Sequence, residues 1–203
     1  MIGPIYVVTD PASAVPVIEQ ARAAARGGAW AVQLRDKQAS DAELHALVRQ
    51  LLPEMAALAV RLIVNDRVEV AISAGADGVH IGQGDGDPRA VRARLGSGRL
   101  VGLSVETLSQ ARRVPPGVDY IGAGPVRATA TKPDHAPPVG LAGLAGIAAA
   151  APVPVIAIGG LALGDAAALK QAGAVGMAVV SAVTRAADPE AATRALLLDW
   201  RQA

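Results

Sequence analysis

The chain reads as an α/β protein, a single-domain (β/α)8 barrel of the TIM type over residues 1–203, and three observations carry that reading. Eight short runs rich in β-branched residues recur at a spacing of about 25 residues, separated by longer Ala/Leu/Arg segments. Every run hands over to a polar or glycine-rich group, as expected where the loops after barrel strands share one rim. No composition shift or Pro/Ser-rich linker divides the chain. An open, doubly wound sheet is the competing architecture, and eight units in about 200 residues favour closure at the short end of the barrel size range.

In order, "IYVVTD" (5–10) is the first run, ending in Thr9 and Asp10, and a helix is predicted over 14–26. "AVQLRD" (31–36) follows, then a helix over 41–59. "RLIVND" (61–66) ends in Asn65 and Asp66 and leads to a helix over 68–74. "DGVHIG" (77–82), "RLVGLS" (99–104), "VDYIGA" (118–123), "PVIAIG" (154–159) and "AVGMAVVS" (174–181) complete the set. "SAVTRA" suggests a short extra helix, and the last helix is predicted over 189–201. The glycines in "ARGGAW", "SAGADG" and "QAGAVG" mark helix ends, because glycine accepts the left-handed conformation that stops a helix.

Composition narrows the function. Nineteen basic against eighteen acidic residues give a net charge of +1, with no cluster of Lys, Arg and aromatics of the kind a nucleic-acid surface needs, so no nucleic-acid partner is expected. The absence of cysteine excludes disulfides and thiolate-ligated metals. The start "MIGPIYVVTDP" lacks the pattern of a signal peptide, and no apolar run free of Pro and Gly reaches membrane-spanning length, so a cytoplasmic protein without a membrane partner is expected. With no Phe, two Trp and two Tyr, the core must be built from Val, Leu, Ile and Ala.

The rim residues suggest what is bound. In "VQLRDK", alternation along the strand points Gln33, Arg35 and Lys37 the same way, over the barrel mouth. Arginine offers a planar fork for phosphate oxygens, lysine a mobile charge, and glutamine a donor and an acceptor for a heterocycle edge. Asp66 and Asp85, on successive strands, suit a hard cation such as Mg2+ bridged to a diphosphate. Each also has a plainer reading, Asp66 as a helix cap and Asp85 as a turn residue in "GQGDGD". His80, in "GVHIGQ", fits a hydrogen-bonded structural role better than that of a general base, and His45 and His135 are assigned to the surface. Gly160, Val180 and Ser181, after the seventh and eighth runs, are placed where barrels of this kind bind a monophosphate. Between the two anion sites lies "TATK", with Thr129, Thr131 and Lys132. Such a rim suits the joining of two phosphorylated small molecules with diphosphate as the leaving group.

Several of these motifs together, "YVVTD", "VQLRDK", "VNDRVEVAISAGADGVHIGQGD", "GLSVET", "DYIGAGPV" with "TATK", "IAIGG" and "VVSAV", resemble the thiamine-phosphate synthase family in order and spacing over nearly the whole chain. The resemblance implies a (β/α)8 enzyme that joins 4-amino-2-methyl-5-hydroxymethylpyrimidine diphosphate to 4-methyl-5-(2-hydroxyethyl)thiazole phosphate, with Mg2+ as cofactor. By the same resemblance, Gln33, Leu34, Arg35, Asp36 and Lys37, with Asn65, Ser104 and Lys132, bind the pyrimidine diphosphate, and Arg35, Lys37, Ser104 and Lys132 are the catalytic set. Asp66 and Asp85 hold the metal; Thr129, Ala130 and Thr131, with Gly160, Val180 and Ser181, bind the thiazole phosphate. The chain departs from the family pattern at Arg127, where an aromatic residue is common, at Glu106, where histidine is common, and at Gly86, where an aliphatic residue is common. Arg127 then either adds a cation near the phosphates or points outward. Two other functions stay open: a thiazole tautomerase, which would need a histidine in "SVET", and a non-catalytic barrel that binds thiamine phosphate. A homo-oligomer is compatible with the sequence under each of these readings.

Overall fold

The computed structural model describes residues 2–129, 131 and 136–203. All eight runs are strands, and they close into a parallel barrel in sequence order, the last pairing with the first. The strands are β1 (Ile5–Val8), β2 (Ala31–Leu34), β3 (Arg61–Asn65), β4 (Gly78–Ile81), β5 (Leu100–Val105), β6 (Tyr120–Ala123), β7 (Val155–Ile158) and β8 (Gly176–Val179). The helices are α1 (Val17–Arg26), α2 (Asp41–Ala57), α3 (Val68–Ala74), α4 (Pro88–Leu95), α5 (Leu108–Arg112), α6 (Gly140–Ala150), α7 (Ala166–Gln171), the short α8 (Ser181–Thr184) and α9 (Pro189–Gln202).

Local chemistry sets the helix ends. Ser40 and Thr107 start α2 and α5 through reciprocal caps with Glu43 and Gln110, satisfying backbone N–H groups that a first turn leaves unpaired. Asp87 and Asp188 cap α4 and α9, each followed by a proline at the first helical position. Gly75, with φ of 81°, stops α3 in the left-handed conformation.

Two apolar layers result. Alternate strand residues such as Val7, Val32, Leu62, Val79 and Val101 point outward and pack under the helices. Their neighbours fill the barrel: Tyr6, Ala31, Ile63, Tyr120, Ile156 and Ala178 form a separate inner cluster over Trp30. Large and small side chains alternate around this ring. The register sets Tyr6 beside Ala31, Ile63 beside Gly78, Tyr120 beside Gly102 and Ile156 beside Gly176. Gly78 is required by space, since a Cβ there would lie 3.0 Å from Ile63 Cδ1 and 2.8 Å from Leu100 Cβ. The inner cluster floors the barrel, and the polar residues stand above it at the strand C-terminal ends.

Candidate active site

The mouth of the barrel is a cavity of about 530 Å³, in the range that holds small-molecule ligands. Of the residues singled out in the sequence, Gln33, Arg35, Lys37, Asn65, Asp66, Asp85, Ser104, Thr129, Thr131, Gly160, Val180 and Ser181 all line it. Leu34 and Asp36 do not. Strand alternation turns Leu34 into the layer under the helices, and Asp36 caps its own loop by accepting from the N–H groups of Gln38 and Ala39 at 2.9 and 3.1 Å. Ala130 and Lys132 lie outside the described residues, as does His135.

The cationic side of the mouth follows β2. The Arg35 N–H donates to Thr9 Oγ1 at 3.0 Å, and Thr9 N–H donates to the Gln33 carbonyl, so β1 continues to brace β2 beyond the end of the sheet. Arg67, paired with Asp41 at 2.6 Å, also donates to the Lys37 carbonyl and steadies that loop.

Beside it, after β3 and β4, stand the two acids. Asp66 adopts φ of 61°, a left-handed conformation that aspartate tolerates better than most side chains. Its N–H donates to the His80 carbonyl at 2.8 Å, which fixes the end of β3 on β4. Burial, then a hydrogen bond and charge repulsion from Asp85, raise its pKa from 3.8 to about 6, against an opposing pull from Lys37. Asp85 Oδ2 accepts from the Gly82 N–H at 2.7 Å, so this residue shapes its turn while facing Asp66. A carboxyl whose proton affinity is raised by burial and by a facing carboxylate marks a site short of positive charge. Among the described residues no group of three or more His, Asp or Glu converges on a metal position. A pair of oxygen donors fits a hard cation that keeps water and ligand oxygens in its other positions.

Beneath these groups runs a buried hydrogen-bonded chain. Gln33 Nε2 donates to the Tyr6 hydroxyl at 2.8 Å, and that hydroxyl lies 2.9 Å from the Tyr120 hydroxyl. Tyr120 meets His80 Nδ1 at 3.2 Å, and His80 Nε2 meets Ser104 Oγ at 3.0 Å. Burial pushes the His80 pKa down to about 4 despite a contrary pull from Asp85, so the ring is neutral near pH 7. The structural role read for His80 agrees with these contacts. The part played by Tyr6 and Tyr120 was missed from the sequence; two tyrosines on inward strand positions, Tyr6 beside Ala31 and Ala178 and Tyr120 beside Gly102, were the available signal.

On the β6 to β8 side, Thr129 and Thr131 lie with their hydroxyls 3.2 Å apart. Gly159 and Gly160 both take positive φ, 102° and 64°. Arg127 lies outside the cavity lining: its guanidinium grips both carboxylate oxygens of Asp165 at 2.7 and 2.8 Å and donates to the Gly160 carbonyl at 3.2 Å. Asp165 also accepts from the Ala162 N–H at 2.9 Å. This departure from the family pattern therefore ties the loop after β6 to the glycine turn after β7. Glu106 lines the cavity, its N–H held by Gln110 Oε1 at 2.7 Å.

Comparison with known proteins agrees with this fold. A sequence profile of the family described as Thiamine monophosphate synthase matches residues 5–183. The thiamine-phosphate synthase of Roseiflexus castenholzii is 48% identical over 197 residues, covering 96% of this chain and 86% of that protein. The one from Laribacter hongkongensis is 45% identical over 195 residues, covering 95% and 92%. The solved thiamine phosphate pyrophosphorylase of Pyrococcus furiosus superposes with a TM-score of 0.88 at 33% identity, covering 98% of this chain and 96% of that one. A 3-hexulose-6-phosphate synthase, at 21% identity and a TM-score of 0.70, shares the fold. A family match along most of the chain, on a closed barrel with this polar mouth, leads to one conclusion: the chain belongs to the thiamine monophosphate synthase family, whose members are transferases.

Proposed function

We propose that the enzyme condenses 4-amino-2-methyl-5-hydroxymethylpyrimidine diphosphate with 4-methyl-5-(2-hydroxyethyl)thiazole phosphate, giving thiamine phosphate and diphosphate. The observation that carries this reading is that one cavity holds Arg35, Lys37 and the acidic pair on one side and Thr129, Thr131, Gly160 and Ser181 on the other. Two anionic ligands can be held there, face to face.

The electron-rich aminopyrimidine expels diphosphate from its methylene carbon, and the thiazole nitrogen captures the resulting cation. Breaking that bond needs no nucleophilic side chain; it needs charge placed where the leaving group gains it. Arg35 and Lys37 supply two cations and, on the family resemblance, Lys132 a third. Mg2+, held by Asp66 and Asp85, would neutralise further charge on the departing diphosphate. Asn65 and Gln33 orient the heterocycle, while the β6 to β8 side holds the acceptor in line and keeps water from the cation. Among the described residues no helix is long and apolar enough to cross a membrane, and two phosphorylated metabolites as substrates suit the cytoplasmic setting expected from the sequence.

A diphosphate-release assay with each substrate omitted in turn tests the proposal. Release only when both substrates and Mg2+ are present supports it. A proton shift on the thiazole without diphosphate release would favour the tautomerase reading, and binding without turnover the carrier reading.

A further inference from the structure

The chain from Gln33 to Ser104 begins and ends at the cavity wall but crosses the barrel interior between those points, and no step above uses its middle. Gln33, Tyr6, His80 and Ser104 line the cavity, whereas Tyr120 is fully buried. The fold makes room for it. A Cβ at Gly102 would overlap the Tyr120 ring and His80 Nδ1, and one at Gly122 would come within 3.1 Å of His80 Cε1. Two strands thus forgo side chains where the chain passes.

Proton counting gives the chain a direction. Tyr6 accepts from Gln33 Nε2, so its single proton goes to the other partner, the Tyr120 oxygen. Tyr120 then has one proton and one remaining partner, His80 Nδ1. A neutral imidazole that accepts at Nδ1 carries its proton on Nε2 and donates to Ser104 Oγ. The Ser104 hydroxyl proton is left to point into the cavity. With Tyr120 donating to Tyr6 instead, the Tyr6 proton would have no acceptor among these partners. Each bond in such a chain polarises the next, so the alignment strengthens toward the serine.

We infer that Tyr6, Tyr120 and His80 are positioning residues that hold Ser104 as a hydrogen-bond donor to an acceptor oxygen of the diphosphate substrate. This rests on the synthase reading, since it presumes an anionic ligand beside Ser104. In the reaction, the serine proton stays on the serine and stabilises charge developing on the leaving group; nothing is transferred.

The test is histidine tautomer NMR on the 15N-histidine-labelled, ligand-free protein, with His80 assigned from its disappearance in His80→Asn. The expected result is the Nε2–H tautomer for wild type and for Tyr6→Phe, and loss of that fixed tautomer in Tyr120→Phe. In steady-state kinetics Tyr120→Phe should lower kcat/KM for the pyrimidine diphosphate on the order of tenfold with the KM for thiazole phosphate unchanged. An Nδ1–H tautomer in wild type overturns the inference, whatever the variants' stability. Wild-type kinetic constants in Tyr120→Phe, or equal losses for both substrates, also overturn it. If wild type releases no diphosphate at all, the synthase reading fails, while the ligand-free spectrum still decides the direction of the chain.

Discussion

Replacing Asp66 by asparagine should make the metal-free protein more stable at pH 8, an unusual direction for a change in an active site. Burial and the facing Asp85 raise the Asp66 pKa from 3.8 to about 6. A raised carboxyl favours the folded state while protonated: that contribution is complete below pH 3.8 and is lost as the pH climbs through about 6. At pH 8 the fold therefore carries a desolvated charge, repelled by Asp85, that the unfolded chain lacks. Two units at about 1.36 kcal/mol each give about 3 kcal/mol. Solvent screening at a half-buried carboxylate cuts this to about 1 kcal/mol. For a chain of this size that is a rise of about 2–4 °C in melting temperature. Asparagine keeps the shape and tolerates the left-handed backbone at this position, so the substitution isolates the charge. Thermal unfolding in EDTA at pH 8 and pH 4, on wild type and Asp66→Asn, measures the effect. The difference should be near zero at pH 4 and should favour the variant at pH 8. On the proposed metal site, Mg2+ at pH 8 should reverse the order, because the variant lacks one of the two carboxylates that would hold the ion. A variant less stable than wild type by the same margin at both pH values, or equal Mg2+ stabilisation of both proteins, would refute the account of the acidic pair.

Other perturbations separate the remaining parts of the site. Lys132→Ala should lower kcat by more than it raises the KM for thiazole phosphate; near-normal turnover at saturating substrates and Mg2+ would remove this lysine from the leaving-group site. Arg127→Ala breaks an ion pair whose arginine is exposed, so it should cost under about 1 kcal/mol of stability. It should raise the KM for thiazole phosphate several-fold by loosening the Gly160 turn, with kcat at saturation preserved, as two-substrate kinetics would show. Gly102→Ala drives a methyl group into Tyr120 and His80 and should destabilise the barrel by about 1–3 kcal/mol, measured by denaturant unfolding. An unchanged midpoint would mean that the interior is looser than the packing described above.

The strand runs were legible because each is a short block of apolar, β-branched residues followed by a polar step, a pattern that needs only near neighbours in sequence. Alternation within "VQLRDK" was legible for the same reason, and it separates Gln33, Arg35 and Lys37, which line the cavity, from Leu34 and Asp36, which do not. What could not be read depends on register between distant strands. Tyr6 and Tyr120 meet only because a closed barrel brings β1 and β6 together across its interior, 114 residues apart. Arg127 and Asp165 are 38 residues apart, and the choice between a cation at the phosphates and an outward side chain turns on which loop the guanidinium reaches. The repulsion between Asp66 and Asp85 likewise needed the two strand ends side by side; composition shows two acids, not their mutual field.

The aromatic floor of the barrel has a practical consequence. The chain has two Tyr, two Trp and no Phe, and both tyrosines sit with Trp30 in edge-to-face contacts of 5.7 to 5.9 Å between ring centroids. Trp200 lies elsewhere, its ring beneath the Lys170 ammonium on α9 and α7. Near-ultraviolet circular dichroism and tyrosine-to-tryptophan energy transfer in this protein therefore report chiefly on one small volume at the bottom of the pore. A ligand that repacks that volume announces itself optically without any attached dye.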